Sequence, residues 1–332
     1  MIFDQKSIKN PIVGARWEAL SNSRRDFIET DMKLRNSSVN VIPPDVFTEL
    51  DTRTKQLLTD PTMDVLYHDL RSVSTPVSTG TYIQTFRVND YDEASTVSMT
   101  GNEKPVFVKS DRRYLSDPVP VHSSGFTIGW RESEALARGD WNKLVDENDA
   151  AVRSVRKSIL DHITGARPYE WSGVRTHGLL TDTDRVQQIK APVKFDDAKT
   201  SGKDIKDGLT KVLMEAQTKS FILAPRTLYV SPEIYANFYR DYSDTIDKTI
   251  FEKIATLPQV GEIKQTSILS GNQMLLGVIS NEYIQLLTAQ EIATTPILRL
   301  RPQDNYEFEV SGIVGTQIRV DSAGHTAWAM VK

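Results

Sequence analysis

The feature that most constrains this chain of 332 residues is a long antiparallel strand pair with a charged tip. The outgoing strand is predicted at Thr81–Asp90 and the returning strand at Pro105–Tyr114. The connection Asn89–Lys104 is rich in Asp, Glu, Ser, Thr and Gly, a composition typical of a mobile loop. A hairpin this long has little core of its own, so it needs another surface to lie against. We expect that surface to belong to a neighbouring subunit.

A helix of roughly 25 residues at 140–164 shows the clearest period in the chain, with apolar residues recurring at three- and four-residue steps. Its predicted core face consists of Trp141, Leu144, Val152, Val155, Ile159 and Ile163. Arg156 is expected on the polar side, where a substitution costs little. Gly165 suits the position that follows a helix end. At about 1.5 Å per residue, such a helix is about 37 Å long and spans a subunit.

The remaining elements alternate irregularly between helices and strands. A short amphipathic helix is predicted within an extended arm in residues 1–40, and further helices at Val46–Leu58 and Asp204–Thr218. Strands are predicted at Met274–Ile279, Ile284–Leu287, Tyr306–Val310, Ile313–Val320 and Thr326–Val331. Because regular strand–helix–strand spacing is missing, we predict an α+β fold.

Composition excludes several classes of function. The formal charge of −4 gives no sign of a surface for nucleic acid or for anionic membranes. The absence of cysteine excludes disulfides, thiolate catalysis and cysteine-ligated metals. We also find no run of about 18 apolar residues, so no membrane partner is expected.

Local motifs for catalysis or metal binding are missing as well. The five histidines, expected to be surface or capping residues, form no His-x-x-x-His or His-Glu-x-x-His pair. Asp182 with Asp184, and the run 244–247, lack the spacing of a calcium loop and are expected to be solvated carboxylates. We therefore predict no catalytic, cofactor-binding or metal-binding residue. An unrecognised cytosolic α+β enzyme stays open, because a site assembled from distant residues leaves no local motif.

The order of elements carries a resemblance. A long hairpin is followed by the strand Phe126–Ile128, a short Glu-rich helix ending in Ala-Arg-Gly139, a long helix and then His177-Gly-Leu-Leu180. This order resembles that of the major capsid proteins of tailed bacteriophages and the related encapsulin shell proteins, which share the Hong-Kong-97-type fold. The similarity covers roughly residues 78–332.

The resemblance implies a domain organisation. Residues 1–77 are expected to form an N-terminal arm, and residues 78–125 the extended loop that overlaps a neighbouring subunit. A peripheral domain at 126–219 is expected to contain the spine helix 140–164. An axial domain is implied at 220–295, and strands at 296–332 are expected to return to the peripheral domain.

The resemblance also implies a function and partners. The chain is expected to be a virion shell protein without catalytic activity or cofactor, forming hexamers and pentamers of an icosahedral head that encloses double-stranded DNA without specific binding. Assembly in the host cytoplasm is implied, with a separate scaffolding protein, a portal protein and possible decoration or cement proteins. The long segment before the hairpin favours a viral capsid over the alternative, an encapsulin-type nanocompartment.

The charges of the hairpin are separated along the sequence, which suggests a docking element. The outgoing side and the tip carry carboxylates, and the returning side carries cations, so acidic and basic parts are both available to a neighbour. The predicted inter-subunit contact residues are Asp90, Asp92, Glu93, Lys104, Lys109, Arg112 and Arg113.

Overall fold

The computed structural model describes residues 11–35, 42, 44–59, 64–91, 99, 104, 110–132, 142–243 and 246–332. Its helices are α1 (Pro11–Arg35), α2 (Pro44–Thr59), α3 (Val65–Arg71), α4 (Asn142–Thr164), α5 (Gly202–Ser220), α6 (Pro232–Phe238) and α7 (Ile250–Ala255). The strands of the first half are β1 (Ser74–Pro76), β2 (Ile83–Tyr91), β3 (Ser110–Pro118), β4 (Val121–Ile128), β5 (Glu170–Trp171), β6 (Val174–Arg175) and β7 (Gln187–Ile189). Those of the second half are β8 (Arg226–Val230), β9 (Asp241–Ser243), β10 (Ile246–Thr249), β11 (Val260–Gln265), β12 (Met274–Gly277), β13 (Ile284–Pro296), β14 (Tyr306–Ile318) and β15 (Ala329–Val331).

The chain divides into two compact units, and each is assembled from separate parts of the sequence. The first comprises Met1–Tyr82, Val119–Tyr169 and Leu286–Thr316. The second comprises Ile83–Pro118, Glu170–Gln285 and Gln317–Lys332. The limits of the two units fall within β13, after Gln285, and within β14, after Thr316. Residues 170–219 group with 220–285, and the last strand pairs with β12 and β7 in that second unit.

In the first unit, a sheet of order β1-β13-β14-β4 carries the long helix α4. Strand β4 pairs antiparallel with β14, from Ile128 opposite Tyr306 to Val121 opposite Ile313. Because β4 joins this sheet, the hairpin ends at Pro118 and not at residue 125 as expected. Gly165 follows α4 with φ of 82°, a conformation that favours glycine.

Helix α1 also belongs to the first unit and is much longer than the short helix expected in an extended arm. It has 25 residues. Arg24 donates hydrogen bonds of 2.6 and 2.7 Å to the two carboxylate oxygens of Asp51 on α2. Asp31 pairs with Arg299 and accepts a hydrogen bond of 3.2 Å from the Tyr306 hydroxyl. These buried polar contacts fix the helix to its own chain, which the weak apolar pattern of residues 1–40 does not indicate.

The second unit is built on a sheet of order β11-β8-β12-β15-β7. Helix α5 packs on it through one apolar face that includes Ile205, Leu209 and Leu213, each at most 1% exposed. Ser201 caps this helix by accepting a hydrogen bond of 3.1 Å from the Asp204 amide. The same unit carries the β2–β3 hairpin, which contains the predicted contact residues.

Candidate assembly surface

The β2–β3 hairpin is the candidate site, and its register is regular. The pairing runs from Ile83 opposite Pro118 to Tyr91 opposite Ser110. Each strand has 9 residues, which corresponds to about 30 Å at about 3.4 Å per residue. Among the described side chains of β2, only Phe86 and Val88 are buried. Most of the hairpin side chains that the structure describes are at least partly exposed.

The structure places the predicted contact residues of the hairpin in part. Arg112 lies opposite Asn89, Arg113 lies opposite Val88, and both arginine side chains are exposed. Lys104 is exposed as well. Asp90 lies in β2 opposite Asp111, but its side chain is outside the described part. Asp92, Glu93 and Lys109 lie outside the described residues.

A buried ion pair fastens the base of the hairpin to the rest of its unit, and sequence reasoning missed it. Arg185 donates a hydrogen bond of 2.6 Å to Asp117 and longer ones of 3.4 Å to the carbonyls of Ser116 and Ile318. Its guanidinium also lies 5.5 Å from the centre of the Phe86 ring. One arginine thus joins both hairpin strands to the end of β14.

The environment of Asp117 changes its protonation. Burial raises the pKa of this carboxyl from 3.8 to about 6, against the opposing effects of the Arg185 guanidinium and of His177. The hairpin base therefore contains an acid that titrates near neutral pH.

A second carboxylate beside it is strongly acidic. Burial raises the pKa of Asp182, but hydrogen bonds from His177 and from the amides of Arg185 and Asp184 outweigh burial and bring the pKa to about 2. The expectation that Asp182 is a solvated loop carboxylate is wrong, because the residue is only 8% exposed and its oxygens accept these hydrogen bonds. Asp182 orders the loop from which Arg185 projects.

A cleft of about 630 Å³ lies beside the hairpin in the second unit. The returning strand β3, the β5–β6 turn and the segment 320–324 form its walls. Arg113 and Tyr114 line it from β3, and Arg175 from β6.

The predicted core face of α4 lies at the interior of the first unit. Leu144, Val152, Val155, Ile159 and Ile163 are each at most 1% exposed. Trp141 lies outside the described residues.

The placement of Arg156 on the polar side is wrong. Its side chain is 3% exposed, donates a hydrogen bond of 2.6 Å to the Leu57 carbonyl, and places its guanidinium 5.3 Å from the centre of the Tyr67 ring. Helices α2 and α3 cover this part of α4, which apolar spacing along α4 alone does not indicate.

Two histidines expected at the surface are buried in the first unit. His122 and His162 are 7% and 2% exposed, with ring centres 5.5 Å apart. His122 contacts the Ser158 hydroxyl at 3.0 Å and the Val314 carbonyl at 3.2 Å. Burial lowers the pKa of both rings, that of His162 to about 3 with a further contribution from His122. Both histidines therefore lie in the interior of the first unit and not at its surface.

Metal-binding geometry is missing from the part of the chain that the structure describes, where no three His, Asp or Glu side chains cluster suitably for an ion. Residues 244 and 245 of the run 244–247 lie outside that part. Among the described helices, none combines the length and the apolar character needed to cross a membrane.

Comparisons with known proteins bear on the fold. A family model described as "Family of unknown function (DUF6260)" matches residues 36–330. No curated protein sequence matches the chain significantly.

Solved structures match over most of the chain. The virus-like particle from Pyrococcus furiosus is 18% identical, with 87% of this chain and 100% of that chain covered and a TM-score of 0.57. The capsid of Myoviridae phage XM1 is 11% identical, with coverage of 79% and 90% and a TM-score of 0.58. The mature capsid of bacteriophage PhiM1 is 14% identical, with coverage of 79% and 86% and a TM-score of 0.50. The chain thus has the α+β fold of the Hong-Kong-97 type, as its order of elements predicts.

Proposed function

We propose, for a chain that belongs to the family of unknown function DUF6260, that it is a major capsid protein. It assembles into hexamers and pentamers of an icosahedral head that encloses double-stranded DNA. The observation that carries this proposal is the fold, which it shares with the phage XM1 capsid over 79% of this chain and 90% of that chain.

The hairpin supports a role in assembly. Its strands of 9 residues extend well beyond what their own side chains can bury, since Phe86 and Val88 are the buried ones among the described side chains of β2. A closed shell requires each copy to contact several neighbours through different patches. A hairpin that lies on a neighbour provides one such patch, and its cations Lys104, Arg112 and Arg113 are available there.

The domains take the following roles in this proposal. Residues 83–118 are the extended loop that overlaps a neighbour. The first unit from residue 78 onward, with α4 as its spine helix, is the peripheral domain. Residues 170–285 form the axial domain, which meets its copies at the five- and six-fold axes, and residues 1–77 act as the arm.

The proposal includes partners and a location. Closure of a head around DNA calls for a portal at one vertex and for a scaffolding protein, which we place on a separate chain. Decoration proteins are optional in this scheme. DNA is enclosed without specific binding, in accord with the mild net charge of −4. The protein is located in the virion after assembly in the host cytoplasm.

The proposal is tested by purifying the protein, with its scaffold where one is encoded nearby, and examining it by electron microscopy and sedimentation. We expect closed particles built of hexamers and pentamers. A uniform monomer or dimer at high concentration with the scaffold present would overturn the proposal, and it would favour the alternative of a small oligomeric α+β enzyme.

A second candidate is an encapsulin-type nanocompartment. The observation that favours it is the match to the Pyrococcus furiosus virus-like particle, which covers 100% of that chain. The two candidates differ in content: particles purified from the natural source contain packaged DNA in one case and a protein cargo in the other. Absorbance ratios and nuclease-protected nucleic acid in those particles distinguish them.

A further inference from the structure

Large apolar side chains are exposed in the second unit where helix α5 ends. Met214 on α5, and Phe221 and Leu223 just after it, are 56%, 74% and 78% exposed. The run Phe221–Pro225 contains no charged residue, and each of its residues is at least partly exposed. Met214 and Phe221 are seven positions apart, so they lie on one flank of the helix, about 10 Å from each other along its axis. Exposed apolar residues grouped in this way mark an interaction surface.

The backbone of Phe221 gives an independent reason to look for a partner. Its φ of 56° is left-handed, and its amide caps α5 by donating a hydrogen bond of 2.8 Å to the Gln217 carbonyl. Glycine usually occupies this position after a helix, because a side chain is strained there. The Phe221 ring meets the His325 ring edge-on, with centres 5.1 Å apart, yet most of it stays exposed. Neither the backbone nor the packing within the chain favours phenylalanine at this position.

A buried arginine holds the turn after α5 in place. Arg226 donates hydrogen bonds of 2.6 Å to the Ser220 hydroxyl and 3.2 Å to the Ala216 carbonyl, at the end of α5. It also donates one of 2.6 Å to the Ala327 carbonyl. The Ile222 amide donates to the Ser220 hydroxyl at 3.2 Å. The chain thus presents the Phe221 ring in a fixed position, and a fixed anchor loses little conformational entropy when it binds.

The size of the surface indicates which kind of partner it fits. Side chains of this size have an area on the order of 200 Å² each, so the three exposed ones offer roughly 400 Å² together. A stable contact between two folded proteins buries about 800 Å² on each side. The surface is too small to hold a second folded copy by itself. An amphipathic helix fits it, since apolar residues seven apart on such a helix can meet Met214 and Phe221 together. A contact of this size is weak and reversible, which suits a partner that acts only during assembly.

We propose that Met214, Phe221 and Leu223 bind an amphipathic helix of the scaffolding protein, an inference that rests on the proposed function. We call these three residues the α5 patch. The Phe221 ring is its central anchor, and the turn held by Arg226 keeps that ring available. In the assembling shell, the α5 patch faces the interior, where the scaffold lies.

Phe221→Gly tests the anchor without disturbing the fold. Glycine adopts a φ of 56° freely, so thermal unfolding of the unassembled chain should be unchanged or shifted to higher temperature. The probe is the purified scaffolding protein, identified as the protein that copurifies with precursor particles and is missing from DNA-filled heads. We expect its affinity for the Phe221→Gly chain, measured by sedimentation, to fall at least about tenfold, because the apolar area of one aromatic ring is lost.

Two leucine variants form a matched pair. Leu223→Ser removes a leucine of the α5 patch, and Leu300→Ser removes one that is 85% exposed in the first unit. We expect Leu223→Ser to weaken scaffold binding and Leu300→Ser to leave it unchanged. Equal binding by the two variants would mean that general surface hydrophobicity, and not the α5 patch, attracts the scaffold.

Photo-crosslinking identifies the partner inside particles. Phe221→p-benzoylphenylalanine keeps an aromatic ring at the anchor, and the same replacement at Leu300 is the control. In precursor particles purified from the natural source, we expect position 221 to cross-link to the scaffolding protein and position 300 not to. In filled heads, the cross-link at position 221 should be lost.

The other outcomes would overturn the inference. These are a cross-link from position 221 to a second copy or to a protein that finished particles retain, no cross-link, and precursor particles without any protein that filled heads lack. Normal scaffold binding and normal shells from Phe221→Gly would also overturn it, and they would leave the capsid proposal standing. If wild type binds the scaffold through the α5 patch but forms no shells, the contact is supported and the capsid proposal fails.

Discussion

The guanidinium of Arg185 donates a hydrogen bond of 2.6 Å to the carboxylate of Asp117, and neither side chain is more than 5% exposed. The two residues are 68 positions apart in the sequence. Arg185 also contacts carbonyls of β3 and β14. The pair therefore fixes the base of the hairpin relative to the end of β14 within the second unit. A buried pair of this kind is costly to break, because removing one partner leaves the other charge buried alone.

The Asp117 pair predicts a pH dependence of stability. The pKa of its carboxyl is about 6 in the folded chain against 3.8 ordinarily. The folded state therefore binds more protons between these values, and the stability that the group contributes is full below about pH 3.8 and is lost as the pH rises through about 6. A shift of about two units corresponds to about 3 kcal/mol.

Asp117→Asn provides the measurement. Asparagine does not titrate, so we expect the free energy of unfolding of this variant, obtained from urea titrations, to lack the pH-dependent contribution of the Asp117 carboxyl. The difference in unfolding free energy between wild type and variant should therefore shrink by about 3 kcal/mol from pH 4 to pH 7. Asp184→Asn, which removes an exposed carboxylate nearby, should follow the wild-type profile. Parallel profiles for wild type and Asp117→Asn would contradict the prediction.

His162 predicts the opposite trend at acid pH. Burial and His122 lower its pKa to about 3. A lowered value means that the unfolded state binds the proton first, so the stability contribution is present above about pH 6.5 and is lost as the pH falls through about 3. His162→Phe keeps a flat ring and removes the titration.

We therefore expect His162→Phe to lose several kcal/mol less than wild type between pH 7 and pH 3.5 in chemical unfolding experiments. His68→Phe, at a half-exposed histidine of the same unit, is the matched control and should lose as much as wild type. If both variants lose the same free energy as wild type, then acid does not act on this unit through His162.

Helix α4 shows which parts of the fold the sequence could predict. The spacing of Leu144, Val152 and Ile159 correctly indicated their shared buried face, because apolar periodicity reports directly on one side of a helix. Arg156 was misplaced, since its burial depends on α2 and α3, which no local pattern connects to it. Charged residues are buried when distant partners satisfy them, and periodicity does not record those partners.

The candidate site was predictable to a similar extent. The paired strands of the hairpin are a local feature, so the sequence indicated them. The role of its divided charges stays a prediction. Asp117, Arg185 and the cleft were missed, because their geometry arises from segments far apart in the sequence; Asp117 and Arg185 alone are 68 positions apart. The one local signal was the Asp182-Thr-Asp184 run before Arg185, which we interpreted as solvated carboxylates. The sequence predicted the long strands β13 and β14 only in pieces. The limits of the two units, which fall within these strands, could not be predicted from those pieces.

Substitutions in α4 test its packing. Val155→Asp places an unpaired carboxylate at a position that is 1% exposed, and it should cost several kcal/mol of unfolding free energy. Arg156→Gln removes the hydrogen bond to the Leu57 carbonyl and the contact with Tyr67, and we expect a cost of about 2 kcal/mol. Arg153→Gln, on the exposed face, should change stability by less than about 0.5 kcal/mol. Equal thermal stability of the two arginine variants would place Arg156 at the surface.

The exposed cations of the hairpin lead to the last prediction, which concerns assembly. Arg112 and Arg113 lie on β3 with exposed side chains, and their cross-strand neighbours Asn89 and Val88 are uncharged. Arg112→Glu with Arg113→Glu should therefore leave the thermal stability of the unassembled chain nearly unchanged. In the proposed shell, we expect the same side chains to face carboxylates of a neighbour. Exposed ion pairs contribute under about 1 kcal/mol each, but every copy repeats them, so the double variant should assemble slowly or not at all.

Light scattering and electron microscopy measure that effect. Raised salt should weaken wild-type assembly in the same direction, because charges further apart than about 8–10 Å are screened. Lys203→Glu with Lys211→Glu carries the same change in net charge on α5 and should assemble like wild type, which separates the local contact from the overall charge. Normal particles from the hairpin variant would mean that the hairpin does not dock through these two arginines.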